Sequence, residues 1–148
     1  MIKIIKYSAE HALLLTPRPE EEILREMGDY KSWATTNEKH SSVALTAVYE
    51  DLVLACGGVR DMWEGVGEAW LLLSPEAVLH RVSIVREIKK HLRDLLNRGT
   101  YHRIQAHARM DFSVAHMFLK KLDFEEEGFM TAYYPDKMDS ILYSIVRR

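Results

Sequence analysis

Hydrophobic and polar residues recur along the chain in patterns that predict both strands and helices. An apolar strand is predicted over MIKIIKYS at the N-terminus. Two helices are predicted next, over 9–16 and 17–27. The second opens with PRPEEE, whose carboxylates favour the positive end of a helix dipole. Residues 29–41 are polar and aperiodic around Trp33, which indicates a surface loop or a short helix.

The middle of the chain carries two strand patterns joined by glycines and acidic residues. SSVALTAVYEDLVLACGGVR alternates on both sides of Glu50-Asp51, which predicts a β-hairpin with a tight turn at that dipeptide. A second turn is predicted over 61–67. The segment GEAWLLLS then predicts a strand that is apolar on both faces, as central strands of a sheet usually are.

A long amphipathic helix is predicted after this strand. Apolar residues recur at helical spacing from Val78 to Leu96, and Gly99 is a suitable terminator. Pro75 and Ser83 both carry signals for the start of a helix, so its first residue stays open between them.

The C-terminal third predicts strand, helix, strand and strand. HRIQAHAR alternates and predicts a strand, after which Asp111 is a candidate N-cap for a helix over 112–122. A long strand is predicted over 124–134, a turn over 135–139 and a last strand over 140–146. The predicted order is therefore β α α β β β α β α β β, which favours an α/β fold with a crossover connection.

Composition narrows the class of protein. A chain of 148 residues with 47% hydrophobic and 28% charged residues is expected to be a single globular domain over 1–148. No apolar run exceeds five residues, so neither a membrane helix nor a secretory signal is expected. The formal net charge of −2 gives no basic excess, which argues against a nucleic-acid partner.

The single cysteine, Cys56, lies in the apolar run LVLACGG. A small buried hydrophobic residue is the expected role, with a nucleophile as the alternative. An absence of disulfides fits a reducing compartment, so a cytoplasmic location is expected. The seven histidines show no metal-ligand spacing, so no metal site is expected.

The predicted order of elements resembles that of the GNAT superfamily, the Gcn5-related N-acetyltransferases. The resemblance is sharpest from ARMDFSVAHMFLKKLDF to the closing hairpin, with Lys121-Leu122-Asp123-Phe124 at the family's lysine–leucine–glycine–phenylalanine corner. It implies a mixed, mainly antiparallel sheet with a splayed central strand pair and helices on both faces. The chain also resembles GNAT-like proteins of tailed bacteriophages, some of which are virion proteins.

The resemblance implies an acyl-CoA-dependent N-acyltransferase with acetyl-CoA as co-substrate and an amine on a small molecule or a protein as acceptor. The family's phosphate loop should fall over 76–83, where EAVLHRVS has no glycine. Donors and positive charge are nevertheless present at that helix start, with a solvated helix face as the alternative. The residues assigned to the pantetheine through their backbone are Leu71, Leu72, Leu73 and Ser74, and those assigned to the phosphates are Arg81, Ser83 and Arg86.

Two residues are candidates for the catalytic base. Glu68 opens the strand that would line the cleft, and His107 lies near the carboxyl end of the strand after the long helix. The alternatives are an exposed carboxylate and a partly exposed strand histidine. Leu119 occupies the position of the family's usual tyrosine acid, and water or another residue would take its place. One of Tyr133, Tyr134 and Tyr143 could be that residue if it points into the cleft, with half-buried packing on the strands as the alternative role.

A second function follows from the same two departures from the family pattern. A chain without the glycines and without the tyrosine also fits a non-catalytic GNAT-like protein, such as a phage structural or accessory protein. A homodimer is compatible with either function. Both functions stay open on the sequence alone.

Overall fold

A computed structural model describes residues 1–19, 22, 25 and 28–147, and it shows a mixed α/β fold around a seven-stranded, mostly antiparallel sheet. The described helices and strands, in chain order, are β1 (Lys3–Lys6), α1 (Ala9–Leu14), α2 (Tyr30–His40), β2 (Ser41–Tyr49), β3 (Leu52–Trp63), β4 (Val66–Leu73), a 3-10 helix (Pro75–His80), α3 (Arg81–Asn97), β5 (Arg103–Arg109), α4 (Ser113–Lys121), β6 (Glu125–Met130) and β7 (Ser140–Val146). The expected fold class is confirmed.

The chain divides into two compact units, Met1–Asp61 with Ala69–Ile84 and Met62–Glu68 with Val85–Arg148. In the first unit the strand order is β1-β2-β3-β4. The β2–β3 hairpin is confirmed, since Tyr49 pairs with Leu52 around the predicted turn. Glu50 takes a positive φ of 55° there, a conformation that hairpin turns of two residues require.

An aromatic cluster forms the core of the first unit. Tyr7, Cys56 and Leu72 are buried in it, and Trp33 and Trp70 pack edge-to-face against each other at 5.7 Å between ring centroids. This burial explains why residues 29–41 contain a helix and not a loop. The carboxylate of Asp29 caps that helix by accepting the Ser32 N–H at 3.0 Å, and the helix then presents Trp33 to the core.

The second unit contains the start of β4 followed by β5, β7 and β6 in that order. β4 and β5 run parallel, with three residue pairs from Val66↔Arg103 to Glu68↔Gln105. The parallel pairing confirms the predicted crossover connection. β7 pairs antiparallel with both β5 and β6. The buried apolar residues of this unit include Leu92, Leu95, Leu96, Ile104, Phe118, Leu122, Phe124 and Tyr143.

The structure differs from the sequence predictions at several boundaries. The turn predicted over 61–67 is shorter, because β3 continues to Trp63 and Gly65 turns the chain with a φ of +80°. The long α-helix begins at Arg81, between the two proposed starts, and a 3-10 helix that begins at Pro75 precedes it. The strand predicted over 124–134 ends at Met130.

Two further predictions need separate comment. Asp111 is not the N-cap of α4, because Phe112 holds that position and Asp111 instead pairs with Arg109. The helix predicted over 17–27 lies largely outside the described residues. In the described part of the chain, no helix has the length and apolar character needed to cross a membrane.

Candidate active site

Glu68 and His107, the two candidate bases, lie next to each other in the second unit. Glu68 is the last residue of β4 in register with β5, and His107 lies two residues beyond its partner Gln105. The distance from His107 Nε2 to Glu68 Oε1 is 3.6 Å, and the two side chains are 25% and 21% exposed. The structure therefore brings a carboxylate and an imidazole together at a partly desolvated position, where acid–base chemistry can be tuned.

A row of polar side chains along β5 orients Glu68. Residues 103, 105 and 107 lie on one face of the strand, because side chains alternate between faces. Gln105 donates from Nε2 to Glu68 Oε2 at 3.4 Å, and Arg103 donates from Nε to Gln105 Oε1 at 3.0 Å. The second contact fixes which end of the Gln105 amide faces Glu68.

Arg103 is itself held by an acidic residue of β6. Its two terminal nitrogens donate to Glu127 at 2.7 and 2.9 Å, a bidentate pair. The hydroxyl of Ser144 also donates to Glu127. The guanidinium and this hydroxyl together lower the pKa of Glu127, so it stays ionised and keeps Arg103 in place.

Tyr134 approaches His107 from the other side of the imidazole ring. Its hydroxyl lies 3.2 Å from His107 Nδ1 and 3.4 Å from Ser140 Oγ. Burial raises the pKa of Tyr134, so the phenol keeps its proton at neutral pH. Of the three tyrosines left open by the sequence, Tyr134 is the one that hydrogen-bonds a candidate base.

The other two tyrosines occupy different surroundings. The ring of Tyr133 packs edge-on against His107 at 5.0 Å between centroids. Burial, followed by the nearby charge of Glu68, raises the pKa of Tyr133. Tyr143 is fully buried and lies 2.7 Å from His116 Nδ1. His116 is half-buried between Tyr143 and the Arg109 carbonyl oxygen, which lies 2.7 Å from its Nε2.

Arg109 ends the polar row on β5 and is 2% exposed. Its guanidinium donates to Asp111 at 3.1 Å and to Asp136 at 2.8 Å, which satisfies the buried charge. The same guanidinium lies over the ring of Tyr134 at 5.0 Å. Sequence reasoning missed Arg109, and it named Tyr134 only as one of three candidate tyrosines. The available signal was the alternation of β5, which places Arg109 on the face of His107.

The residues assigned to a CoA molecule lie at the end of β4 and the start of α3. Ser74 donates its backbone N–H to Leu54 O at 2.8 Å, so this amide serves the β3–β4 pairing and not a pantetheine. Paired backbone groups alternate between the two edges of a strand, so the groups of Leu71 and Leu73 point away from β3 and those of Leu72 point toward it. This pairing argues against Leu72 and Ser74 as backbone partners of a pantetheine, and the assignment of Leu71 and Leu73 stays a prediction.

Ser74 nevertheless offers a side chain suited to a bound ligand. Its hydroxyl is buried, and it has no hydrogen-bond partner among the described residues. An unsatisfied buried hydroxyl is costly, and a ligand atom placed there would satisfy it. A buried hydroxyl that can donate a hydrogen bond is suited to a polar atom of a CoA molecule.

The segment assigned to the phosphates folds without glycine. It forms the 3-10 helix followed by the first turn of α3. Arg81 is exposed at that junction, where its guanidinium donates to Val78 O at 3.1 Å. Ser83 is half-buried and Arg86 is exposed on the same helix. All three residues thus lie within the first two turns of α3.

Two sequence expectations concern residues away from this chemistry. Cys56 is buried with its sulfur near the Thr46 hydroxyl, as expected for a small hydrophobic residue. Leu119, at the position of the family's tyrosine, is 8% exposed. Across the described residues, no group of three or more histidine, cysteine or acidic side chains could hold a metal ion.

Comparison with solved structures places the fold among acetyltransferases. A GNAT-family acetyltransferase from Bacillus anthracis superposes with a TM-score of 0.72 at 12% identity, covering 98% of this chain and 94% of that one. One from Streptococcus pneumoniae gives 0.71 at 10% identity and covers both chains fully. RimL, a ribosomal alpha-N-protein acetyltransferase in complex with coenzyme A, gives 0.72 at 12% identity over 99% and 94%.

The chain has the GNAT acetyltransferase fold. No family model matches the sequence, and no curated protein matches it either. At identities of 10–12% the likeness shows the fold alone, since one fold hosts many functions.

Proposed function

We propose that the protein is an acyl-CoA-dependent N-acyltransferase that transfers an acetyl group from acetyl-CoA to an amine by direct attack. In this reaction the amine nitrogen forms a bond to the thioester carbonyl carbon and the carbon–sulfur bond breaks. A base takes a proton from the amine, and the CoA thiolate that leaves is protonated to the free thiol. The observation that carries the proposal is the adjacency of Glu68 and His107 in a GNAT fold.

The second part of the proposal concerns the residues that would bind acetyl-CoA. Acetyl-CoA would be held by the backbone of Leu71 and Leu73 and by the Ser74 hydroxyl. Arg81, Ser83 and Arg86 would face its phosphates, since guanidinium groups suit bidentate phosphate contacts. The unsatisfied hydroxyl of Ser74 and the coenzyme A in the RimL structure support this assignment.

Thermal unfolding with and without acetyl-CoA tests the proposal directly. A ligand at 100 times its Kd stabilises the folded state by about 2.7 kcal/mol, which for a chain of this size raises Tm by about 5–10 °C. ADP, which has a diphosphate but no pantetheine, is the control and is expected to give a smaller shift. An unchanged Tm at millimolar acetyl-CoA would contradict the proposal.

A second candidate function is a non-catalytic GNAT-like protein, such as a phage structural or accessory protein. The observation that favours it is the absence of glycine between Gly67 and Gly99, together with the buried Leu119 in place of a tyrosine. Close approach of a diphosphate to the backbone is easiest where no Cβ intervenes. An absence of acetyl-CoA binding would favour this candidate, and release of free thiol in the presence of an amine would exclude it.

A further inference from the structure

The hydroxyl of Tyr134 belongs to a short chain of hydrogen-bonding groups that ends on a backbone carbonyl. It lies between His107 Nδ1 at 3.2 Å and Ser140 Oγ at 3.4 Å. The hydroxyl of Ser140, which is fully buried, donates to the carbonyl oxygen of Ala108 at 3.0 Å. Because a serine hydroxyl has one proton, Ser140 can act toward Tyr134 only as an acceptor.

Two arrangements of protons remain for a neutral His107. In the first, Tyr134 donates to Ser140 and accepts from an Nδ1–H of His107. In the second, Tyr134 donates to Nδ1 of His107, and the imidazole proton is on Nε2. The 3.2 Å contact with His107 is a hydrogen bond in both arrangements, whereas the 3.4 Å contact with Ser140 is a hydrogen bond only in the first.

The group on the other side of the imidazole ring separates the two arrangements more clearly. Nε2 faces the Oε1 atom of Glu68 at 3.6 Å, and both side chains are about three-quarters or more removed from solvent. With the proton on Nε2, the imidazole directs an N–H dipole toward a carboxylate. With the proton on Nδ1, a nitrogen lone pair would face that carboxylate, which is repulsive and is poorly screened at a partly buried position.

We propose that Tyr134 is a positioning residue that, together with Glu68, holds the neutral imidazole of His107 in the tautomer with its proton on Nε2. Nδ1 of His107 then accepts from Tyr134, and the Nε2–H is directed toward Glu68 Oε1 at 3.6 Å. If the proposed acyl transfer takes place, Glu68 is the group left to receive the amine proton, and His107 orients it. That assignment rests on the proposed function, whereas the tautomer itself does not.

The local structure keeps Tyr134 in this position. Its backbone closes the turn before β7, since the Lys137 N–H donates to Tyr134 O at 2.8 Å and the Tyr134 N–H donates to Met138 O at 3.2 Å. The guanidinium of Arg109 lies over the phenol ring and is itself bound by Asp136 from the same turn. Because the backbone of Tyr134 and one face of its ring are already held, little further conformational entropy is lost when its hydroxyl hydrogen-bonds His107.

Long-range proton–nitrogen NMR of the protein labelled with 15N-histidine tests this proposal. Spectra are recorded without acetyl-CoA, about two pH units above the ordinary histidine pKa of about 6.5, so that neutral imidazoles dominate. We expect His107 of the wild type to show the Nε2–H pattern. Tyr134→Phe removes the hydroxyl but keeps the ring, and we expect a mixture of tautomers in this variant.

Tyr133→Phe is the matched control, because Tyr133 packs against the same imidazole ring to ring, with 5.0 Å between the ring centroids. This variant should retain the wild-type pattern. An Nδ1–H pattern in the wild type would overturn the proposal, and so would a Tyr134→Phe spectrum identical to that of the wild type. If Tyr134→Phe did not fold, the wild-type spectrum alone would still decide the tautomer.

Failure of the proposed function would be detected by different measurements from failure of the tautomer proposal. The tautomer is read in the free protein, whereas the proposed function is read from stabilisation by acetyl-CoA and from thiol release. A protein with the expected tautomer and no response to acetyl-CoA would retain the positioning role of Tyr134 and lose the acyl transfer. A protein that responds to acetyl-CoA but shows the Nδ1–H tautomer would retain the acyl transfer, and Tyr134 would have no positioning role in it.

Discussion

His107 and Glu68 face each other across neighbouring parallel strands, with 3.6 Å between Nε2 of the imidazole and Oε1 of the carboxylate. The relationship depends on the register of β4 with β5, which pairs Glu68 with Gln105. Gln105 then donates to the second carboxylate oxygen. A carboxylate held at both oxygens has one orientation, which is a requirement for a base that must meet a substrate proton.

Glu68→Gln is expected to lower acyl transfer by about 10²–10⁴-fold, the usual contribution of a positioned acid or base. The amide cannot accept a proton, but it keeps the size of the carboxylate. Stabilisation by acetyl-CoA should be unchanged, because Glu68 is assigned to the acceptor and not to the cofactor. Thiol release with a panel of amines measures the first effect and thermal unfolding the second. Full activity in this variant would remove Glu68 from the reaction.

Replacing Arg81 and Arg86 together by alanine is expected to abolish the thermal shift caused by acetyl-CoA, since both charges are assigned to its phosphates. The quantity compared is the ligand-induced change in Tm, so any loss of intrinsic stability cancels. Lys90→Ala with Arg93→Ala removes the same charge from exposed positions further along α3 and is the control. A full shift in the Arg81 and Arg86 double variant would show that the phosphates bind elsewhere.

Glu127→Gln is expected to destabilise the protein at neutral pH and to have little effect in acid. The Arg103 guanidinium, followed by the Ser144 hydroxyl, lowers the pKa of Glu127 in the folded state. A lowered carboxyl pKa stabilises the fold above the unfolded pKa of about 4.3, and this contribution is lost as the pH falls through the folded value. Urea unfolding of wild type and variant across this pH range should show the difference between their free energies of unfolding closing in acid.

Glu125→Gln is the control for that experiment, because Glu125 is exposed on the same strand. Its free energy of unfolding should follow that of the wild type at every pH. A difference between wild type and Glu127→Gln that persisted unchanged into acid would contradict the role given to the Arg103–Glu127 pair.

Gly65→Ala is expected to cost more stability than Gly99→Ala. Both glycines have a positive φ, +80° and +73°, which costs an alanine roughly 1–2 kcal/mol. A Cβ at Gly65 would in addition collide with the ring of His102, whereas one at Gly99 meets nothing within 4 Å. Thermal or urea unfolding of the two variants measures the difference. Equal losses would indicate that His102 moves aside without cost.

The order of the elements could be predicted because most of them carry strong periodic patterns. The last strand was predicted over 140–146 and is observed at Ser140–Val146. The hairpin around Glu50-Asp51 was equally well marked. Residues 29–41 were harder, because the helix there is held by two aromatic residues packed on a distant core, and such packing leaves no periodic signal.

The site could be predicted in part. Glu68 and His107 were identified separately, each from its place on a strand, and no pattern in the sequence predicts that they are in contact. Tyr134 could not be singled out from its two neighbours in the hairpin, since nothing in the sequence says which tyrosine faces β5. The surroundings of His116 could not be predicted either, because its two hydrogen bonds are with Tyr143 and Arg109 in other elements.

The sequence by itself determined the succession of strands and helices, the alternation that puts Arg103, Gln105, His107 and Arg109 on one face of β5, and the absence of glycine between Gly67 and Gly99. These properties depend on neighbours along the chain. The tertiary structure alone decided that Glu68 meets His107 and that Tyr134 meets its other nitrogen. Those contacts depend on strand register and on a turn before β7, which bring together residues far apart in the sequence.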